Sequence, residues 1–299
     1  MSGSRVGFTL SELVVALGVG GVAFGAFALV VAQQERAHAE LSRRVRARAQ
    51  LRDGLAALVT DLRAASPAAG DIPPGGARDS SIELRATIGT AVACEVEGST
   101  IVGALTSFVT PPGAGDTAWA YVERDGASGW AAFPISGVSV PSGLEPSACA
   151  FPAGALTVVH SRGAPGPTYS LTLAEQPPAT APSGTPFRVT RRVRYSLYRA
   201  PDGRWYLGRR EWSQRQSRFE TIQPVSGPYR GYATPSGDTS GLELRYFDGD
   251  DVELPAGLSD TERIARIAIT LRAPPAPFDN RTWEPRDVAS ATVAMRNRP

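Results

Sequence analysis

Few residues in this sequence have the types and spacing that catalysis or metal binding requires. The two histidines, His38 and His160, stand far apart in the chain, and neither has a cysteine or a second histidine at the spacing of a metal site. The sequence also lacks a phosphate-binding loop, a G-x-S-x-G elbow and an H-E-x-x-H motif. We therefore expect no catalytic residue, no metal site, no cofactor and no enzymatic activity.

One acidic turn could bind a hard cation. Asp248, Asp250 and Asp251 are followed closely by Glu253, and clustered carboxylates are the ligands that Ca²⁺ prefers. Their spacing is not that of an EF-hand loop, and a Gly-Asp hairpin turn explains the same residues without a metal. Both interpretations of the Asp248–Asp251 turn stay open.

Three arginines could contribute to a DNA-binding surface. Arg191, Arg192 and Arg194 lie within one predicted strand, but Arg191 falls at an inward-facing position of that strand. The 31 basic residues nearly balance the 29 acidic ones, so the net charge of +2 gives no preference for nucleic acid. We expect a solvated strand face and no DNA partner.

Glu12 is the carboxylate whose position demands an explanation. It lies in the apolar stretch from Leu10 to Val31, which as a helix would be about 33 Å long and would cross a bilayer. A carboxylate inside a membrane span is costly, so it indicates a function by default.

Two ordinary kinds of segment are alternatives for this stretch. A secretory signal peptide would be shorter and would end in a small-x-small cleavage site. A plain membrane anchor would be oriented by the positive-inside rule, and here one arginine, Arg5, precedes the stretch whereas several follow it. A plain anchor would thus keep the C-terminal part in the cytoplasm. The following arginines are Arg36, Arg43, Arg44, Arg46 and Arg48.

The segment Gly7-Phe8-Thr9-Leu10-Ser11-Glu12, followed by an apolar helix, resembles the leader of type IV pilin-like proteins. The resemblance implies cleavage between Gly7 and Phe8 by prepilin peptidase and N-methylation of Phe8. It implies a single-pass protein of the inner membrane that is assembled into a filament, with its C-terminal domain in the periplasm. In that family, dedicated machinery supports this orientation, which would otherwise conflict with the arginine count. The partners implied are other pilin or pseudopilin subunits, bound through the N-terminal helix.

The same resemblance implies a role for Glu12 in assembly. After cleavage, Phe8 carries a positive amine in apolar surroundings, and Glu12 of a neighbouring subunit can neutralise it. Because an unpaired partner would be strongly penalised, such a pair sets the register of the helices. Gly21 and Gly25 permit close helix approach or a local loosening of the helix, and both remain open.

A long helix must carry these residues. Leu51, Leu55, Leu58 and Leu62 recur at helical spacing, and Ser66-Pro67 ends the pattern. We predict a leader over 1–7, a transmembrane helix over 8–31, an amphipathic helix over 32–65, a Pro/Gly linker over 66–80 and a β-rich domain over 81–299. Leu41 and Val45 are expected on an apolar face of the amphipathic helix.

After Ser81, apolar residues recur at every second position, which indicates strands with one face exposed to solvent. It is clear in 82–88, 189–197, 242–246 and 267–271. The predicted fold class is therefore α+β, with the long N-terminal helix packed on an antiparallel β-rich globular domain.

The strand segments Val193–Tyr198 and Trp205–Arg210 resemble a strand pair of PilW-like minor pilins and of J-type pseudopilins of type II secretion. The resemblance implies a structural subunit that primes or caps a pilus or a pseudopilus. A membrane-anchored periplasmic binding module is the alternative. If the domain is exported, Cys94 and Cys149 are expected to form a disulfide; in the cytosol they would be two buried thiols.

Overall fold

The computed structural model describes residues 9–108, 110–124, 127–140, 169–177, 184–233, 239–274 and 288–295. One long helix, α1 (Leu10–Ala64), precedes a set of antiparallel strands, so the fold class is α+β. The chain divides into two compact units, and the boundary lies within α1 after Ala49. The two units are described separately.

The first unit consists of the N-terminal part of α1. Its apolar stretch is long and apolar enough to cross a membrane, and it is the one such helix among the described residues. Its most hydrophobic window is not buried at all, unlike the core helix of a soluble protein. Leu41 and Val45, predicted to lie on an apolar face, are exposed as well.

The second unit is dominated by strands. Their bounds are β1 (Ser81–Glu97), β2 (Thr100–Phe108), β3 (Thr117–Arg124), β4 (Ala127–Ser139), β5 (Tyr169–Leu173), β6 (Pro186–Arg199), β7 (Trp205–Ser213), β8 (Arg218–Phe219), β9 (Gln223–Tyr229), β10 (Leu242–Phe247), β11 (Glu253–Leu254), β12 (Arg266–Arg272) and β13 (Val288–Ala294).

Six of these strands close into a barrel. They pair antiparallel in the order β1-β2-β5-β4-β3-β6, and β6 pairs again with β1. A barrel this small is filled by its own side chains. The interior is apolar and is formed by Ile88, Ala91, Ala93, Ile101, Ala118, Ala120, Val122, Phe133, Ile135, Leu171, Leu173, Phe187 and Val189.

Strand β6 belongs to two structures at once. Along one edge it pairs with β1; along the other, its first half pairs with β3 and its second half with β7. The residues Phe187 and Val189 therefore face the barrel interior, whereas Val193 and Tyr195 lie in the core of the sheet that β7 and β9 extend. A separate four-stranded sheet has the order β11-β10-β12-β13.

The last turns of α1 belong to the second unit and are partly buried there. Leu51, Leu58 and Leu62 are buried on one side of the helix, together with Gly54. The Tyr229 hydroxyl of β9 donates to the backbone carbonyl of Gln50 at 2.7 Å. Hydrophobic burial and specific hydrogen bonds thus both hold this part of α1 in place.

The segment 66–80, predicted as a Pro/Gly linker, contributes to the core instead. After a short 3₁₀ helix (Pro67–Ala69), Ile72 and Ala77 are fully buried. The backbone N–H of Glu83 in β1 donates to the carbonyl of Gly76, so the segment is also hydrogen-bonded to the sheet. Proline and glycine serve here to turn the chain tightly inside the domain rather than to separate two domains.

Candidate functional site at the start of the helix

The structure describes Glu12 but not the predicted processing site. Gly7 and Phe8 lie outside the described residues. Thr9 is the first described residue, and Glu12 lies in the first turn of α1, where both side chains are exposed.

Thr9 and Glu12 cap the helix reciprocally. The backbone N–H and the hydroxyl of Thr9 each donate to Glu12 Oε2 at 2.9 Å, and the Glu12 N–H lies 3.4 Å from Thr9 Oγ1. This is the capping box of a T-x-x-E sequence, which satisfies N–H groups that a helix otherwise leaves unpaired. The T-x-x-E spacing is present in the sequence, but the cap was not predicted from it.

The capped carboxylate keeps the capacity to bind a cation. Among the described residues no arginine or histidine pairs with Glu12, and its Oε1 accepts no hydrogen bond from them. A negative charge is also favoured at this end of a helix by the helix dipole. The arrangement can therefore receive a positively charged group from outside the described part of the chain.

The glycines that follow leave an open helix surface. A Cβ added at Gly18, Gly20, Gly21 or Gly25 would meet no atom within 4 Å. The structure places them within the continuous helix α1. Their small size leaves room for the close approach of another helix.

The three arginines of β6 are engaged within the domain. Arg191, predicted at an inward-facing position, is half-buried and pairs with Asp116 and Glu211 at 2.8 and 2.9 Å. Arg192 and Arg194 both pair with the buried carboxylate of Glu83. Their guanidinium groups also stack on aromatic rings of β7 and β8, namely Trp212 and Phe219.

The acidic turn is neutralised by arginines. Asp248 accepts the N–H groups of Asp250 and Val252 and pairs with Arg263; Asp251 pairs with Arg266. The hydrogen bond from the Val252 N–H, with those from Asp250 and Arg263, holds the pKa of Asp248 below its usual value. Within the described ranges, no group of three His, Cys, Asp or Glu residues is placed to hold a metal ion. The cation hypothesis has no geometric support there.

The two cysteines and the two histidines are the remaining candidates, and the structure describes one residue of each type. Cys94 is buried and takes part in a disulfide, whereas Cys149 lies outside the described residues. His38 is exposed on α1, and His160 is also outside the described residues.

Two acids near the end of α1, Asp61 half-buried and Asp71 buried, were not found from the sequence. Asp61 Oδ2 accepts the Tyr195 hydroxyl at 2.7 Å, and burial raises the pKa of its carboxyl. Asp71 is fully buried and accepts the Ser66 N–H and the Arg188 guanidinium at 2.8 and 2.9 Å. Tyr195 and Arg188 are distant in sequence from these acids, so no local pattern predicts either contact.

Comparison with known proteins found no match: no family model, no curated protein and no solved structure is similar to this chain.

Proposed function

We propose that this chain is a structural subunit of the type IV pilin class. It would be a minor pilin or pseudopilin that primes or caps assembly of a type IV pilus or a type II secretion pseudopilus, and it would not be an enzyme. One observation carries the proposal: Gly7 and Phe8 directly precede a helix that has Glu12 in its first turn and an exposed apolar stretch behind it.

Processing would create the group that Glu12 binds. Cleavage by prepilin peptidase between Gly7 and Phe8 leaves a positive amine on the residue just before Thr9. In a filament, Glu12 of one subunit would receive the amine of a neighbour, and the open glycine surface would let the helices approach. A misaligned helix would bury an unpaired charge, which costs about 3–5 kcal/mol, so the pair selects one register.

The rest of the molecule would sit outside the cytoplasm. In this proposal α1 crosses the inner membrane once and the β-rich domain lies in the periplasm before entering the filament. The disulfide of Cys94 supports export, because disulfides persist in oxidising compartments. The domain would supply the contacts to partner subunits near the filament tip.

A second candidate function is a membrane-anchored periplasmic binding module with no filament role. The capping box favours this second candidate, because helix capping by itself accounts for the presence of Glu12 and Thr9. The two functions differ in whether the charge of Glu12 is needed.

Two substitutions at Glu12 separate charge from capping. Glu12→Gln keeps an acceptor for the Thr9 N–H but removes the charge, whereas Glu12→Ala removes both. We expect both variants to lose incorporation into filaments, measured by immunoblot of sheared filaments against the cell-associated protein. Glu40→Gln is the matched control, since Glu40 is an exposed acid on the same helix, and it should assemble normally.

Normal incorporation of Glu12→Gln would contradict the proposed charge pair. If Glu12→Gln assembles while Glu12→Ala fails, Glu12 acts through the helix cap alone. If neither variant nor the wild type enters a filament, the anchored binding module becomes the better account.

A further inference from the structure

A group of arginines covers more than half of the circumference of α1 just beyond its apolar stretch. We call the residues Arg36, Arg43, Arg44, Arg46 and Arg48 the arginine collar; all five are exposed. Within the same turns of helix the acids are Glu35 and Glu40. Arg44 pairs with Glu40, and among the described residues no carboxylate pairs with the other four arginines.

The collar side chains lean back toward the apolar stretch. Arg43 Nε donates to the carbonyl of Ala39 at 3.3 Å, and Arg44 pairs with Glu40, in each case one turn nearer the N-terminus. Helix geometry tilts every Cα–Cβ bond in this direction. Their guanidinium groups therefore lie at the level of residues 39 and 40.

These positions fall within reach of lipid headgroups. Counted from Val31 at 1.5 Å per residue, Arg36 lies about 8 Å beyond the apolar stretch, and the heads of Arg43 and Arg44 about 12–14 Å. Headgroups occupy roughly 5–8 Å beyond the hydrocarbon. The distance that remains is within one Debye length, about 8 Å at physiological ionic strength.

The angular spread of the collar distinguishes a lipid from a protein partner. At about 100° per residue the five arginines cover roughly 200° of the helix circumference. Lipids surround a membrane helix, whereas a protein partner contacts mainly one face of it. The position of the collar, continuous with the apolar stretch on one helix, also favours a membrane surface.

We propose that the arginine collar binds anionic phospholipid headgroups at the surface from which α1 leaves the membrane. The inference rests on the membrane insertion contained in the proposed function. The partner is recognised by charge alone, so any phosphate-bearing anionic lipid meets the requirement. The contact would hold an unassembled subunit at a fixed depth in the bilayer.

Lipid selectivity in reconstituted vesicles tests this inference. The full chain is inserted into phosphatidylcholine vesicles that contain a trace of spin-labelled phosphatidylglycerol or spin-labelled phosphatidylcholine. Electron paramagnetic resonance then gives the fraction of each lipid whose motion the protein restricts. We expect a preference of about fivefold or more for phosphatidylglycerol at low salt, lost in 1 M salt.

The test variant carries Arg36→Gln, Arg43→Gln and Arg44→Gln, the three collar positions nearest the bilayer. Glutamine is a good helix former, and far-ultraviolet circular dichroism checks that the helix persists. The control variant carries Arg63→Gln, Arg204→Gln and Arg215→Gln, which removes the same charge from exposed arginines elsewhere. We expect the test variant to lose the preference and the control variant to keep it.

Equal restriction of the two lipids by the wild-type chain would overturn the inference and leave the proposed function standing. A test variant that keeps the full preference would also overturn it, and an acidic face of a partner protein would then be the alternative. Failure to restrict either lipid would mean that the chain does not insert, and would count against the proposed function as well.

Discussion

At the scale of single residues, Asp61 joins the helix to the sheet at some electrostatic cost. Its carboxylate accepts the Tyr195 hydroxyl, and the guanidinium Nε of Arg209 lies 3.8 Å away. Burial raises the pKa of this carboxyl despite both favourable contacts. A buried acid of this kind favours the folded state most when it is protonated.

The sign of the resulting pH dependence follows from linkage. Because the folded-state pKa of Asp61 is raised, its contribution to stability is fully present below the ordinary pKa of an aspartate and declines as pH rises through the raised value. Asp61→Asn, which keeps an acceptor for Tyr195, has no such dependence. We expect the free energy of unfolding of the variant, relative to wild type, to rise as the pH increases from below 3.8, the ordinary pKa of an aspartate, through the raised pKa of Asp61.

Urea unfolding of the full chain in detergent micelles measures this difference. Asp53→Asn is the control, since Asp53 is an exposed aspartate on the same helix. A difference that stays constant with pH would show that folding does not shift the pKa of Asp61, and a difference that falls as pH rises would show that the pKa is lowered; either result would contradict the prediction.

At the scale of elements, Gly54 lets the last turns of α1 pack against β9 and β12. A Cβ at this position would lie 2.6 Å from Ser226 Oγ, 3.0 Å from Leu271 Cδ1 and closer still to Tyr229 Oη. The Tyr229 hydroxyl cannot move away without losing the hydrogen bond that it donates to the Gln50 carbonyl. Close packing, rather than helix propensity, therefore decides what this position tolerates.

Gly54→Ala should destabilise the domain although alanine favours helix. The propensity gain is about 1 kcal/mol, while overpacking costs about 1–3 kcal/mol. We expect a net loss of about 1 kcal/mol, seen as a lower Tm by near-ultraviolet circular dichroism. Gly129→Ala is the matched control because an added Cβ there meets nothing within 4 Å. A Tm raised by Gly54→Ala would contradict the packing described for α1.

Local sequence patterns predicted where the strands lie better than which strands pair with each other. Alternation of apolar and polar residues indicated the strands around Leu84, Val193 and Leu244, and these three side chains are buried as expected. The alternation within a strand depends on which of its faces packs against a core, so it can be seen in the sequence of that strand alone. It did not indicate barrel closure, since β6 pairs with β1 across a long stretch of chain. In β1, a register shift against β6 between Thr87 and Gly89 also moves the inward-facing side chains from even-numbered to odd-numbered residues.

The candidate site was predicted in part for the same reason. Glu12 and the apolar stretch stand out locally, whereas the pairing of Arg191 with Asp116 and the burial of Asp71 depend on residues brought together only by the fold. The burial of Ile72 and Ala77 within the segment 66–80 was not predicted, because prolines and glycines serve equally in an exposed connection and in buried turns.

At the scale of the whole molecule, an exposed apolar helix precedes a closed β-barrel and its adjoining sheets along the chain. The helix would provide insertion and register, and the domain would provide contacts with partners. The barrel interior is filled by side chains, so we assign it a structural role rather than a binding function. What remains decisive is whether the chain enters the processing pathway that the Gly7/Phe8/Glu12 arrangement predicts.

Mass spectrometry of the mature N-terminus, in cells with and without prepilin peptidase, tests this most directly. The account predicts a chain that starts at a methylated Phe8 when the peptidase is present and at an uncleaved leader when it is absent. An intact Met1 in the presence of the peptidase, or a cut beyond Val31, would contradict the pilin-class proposal.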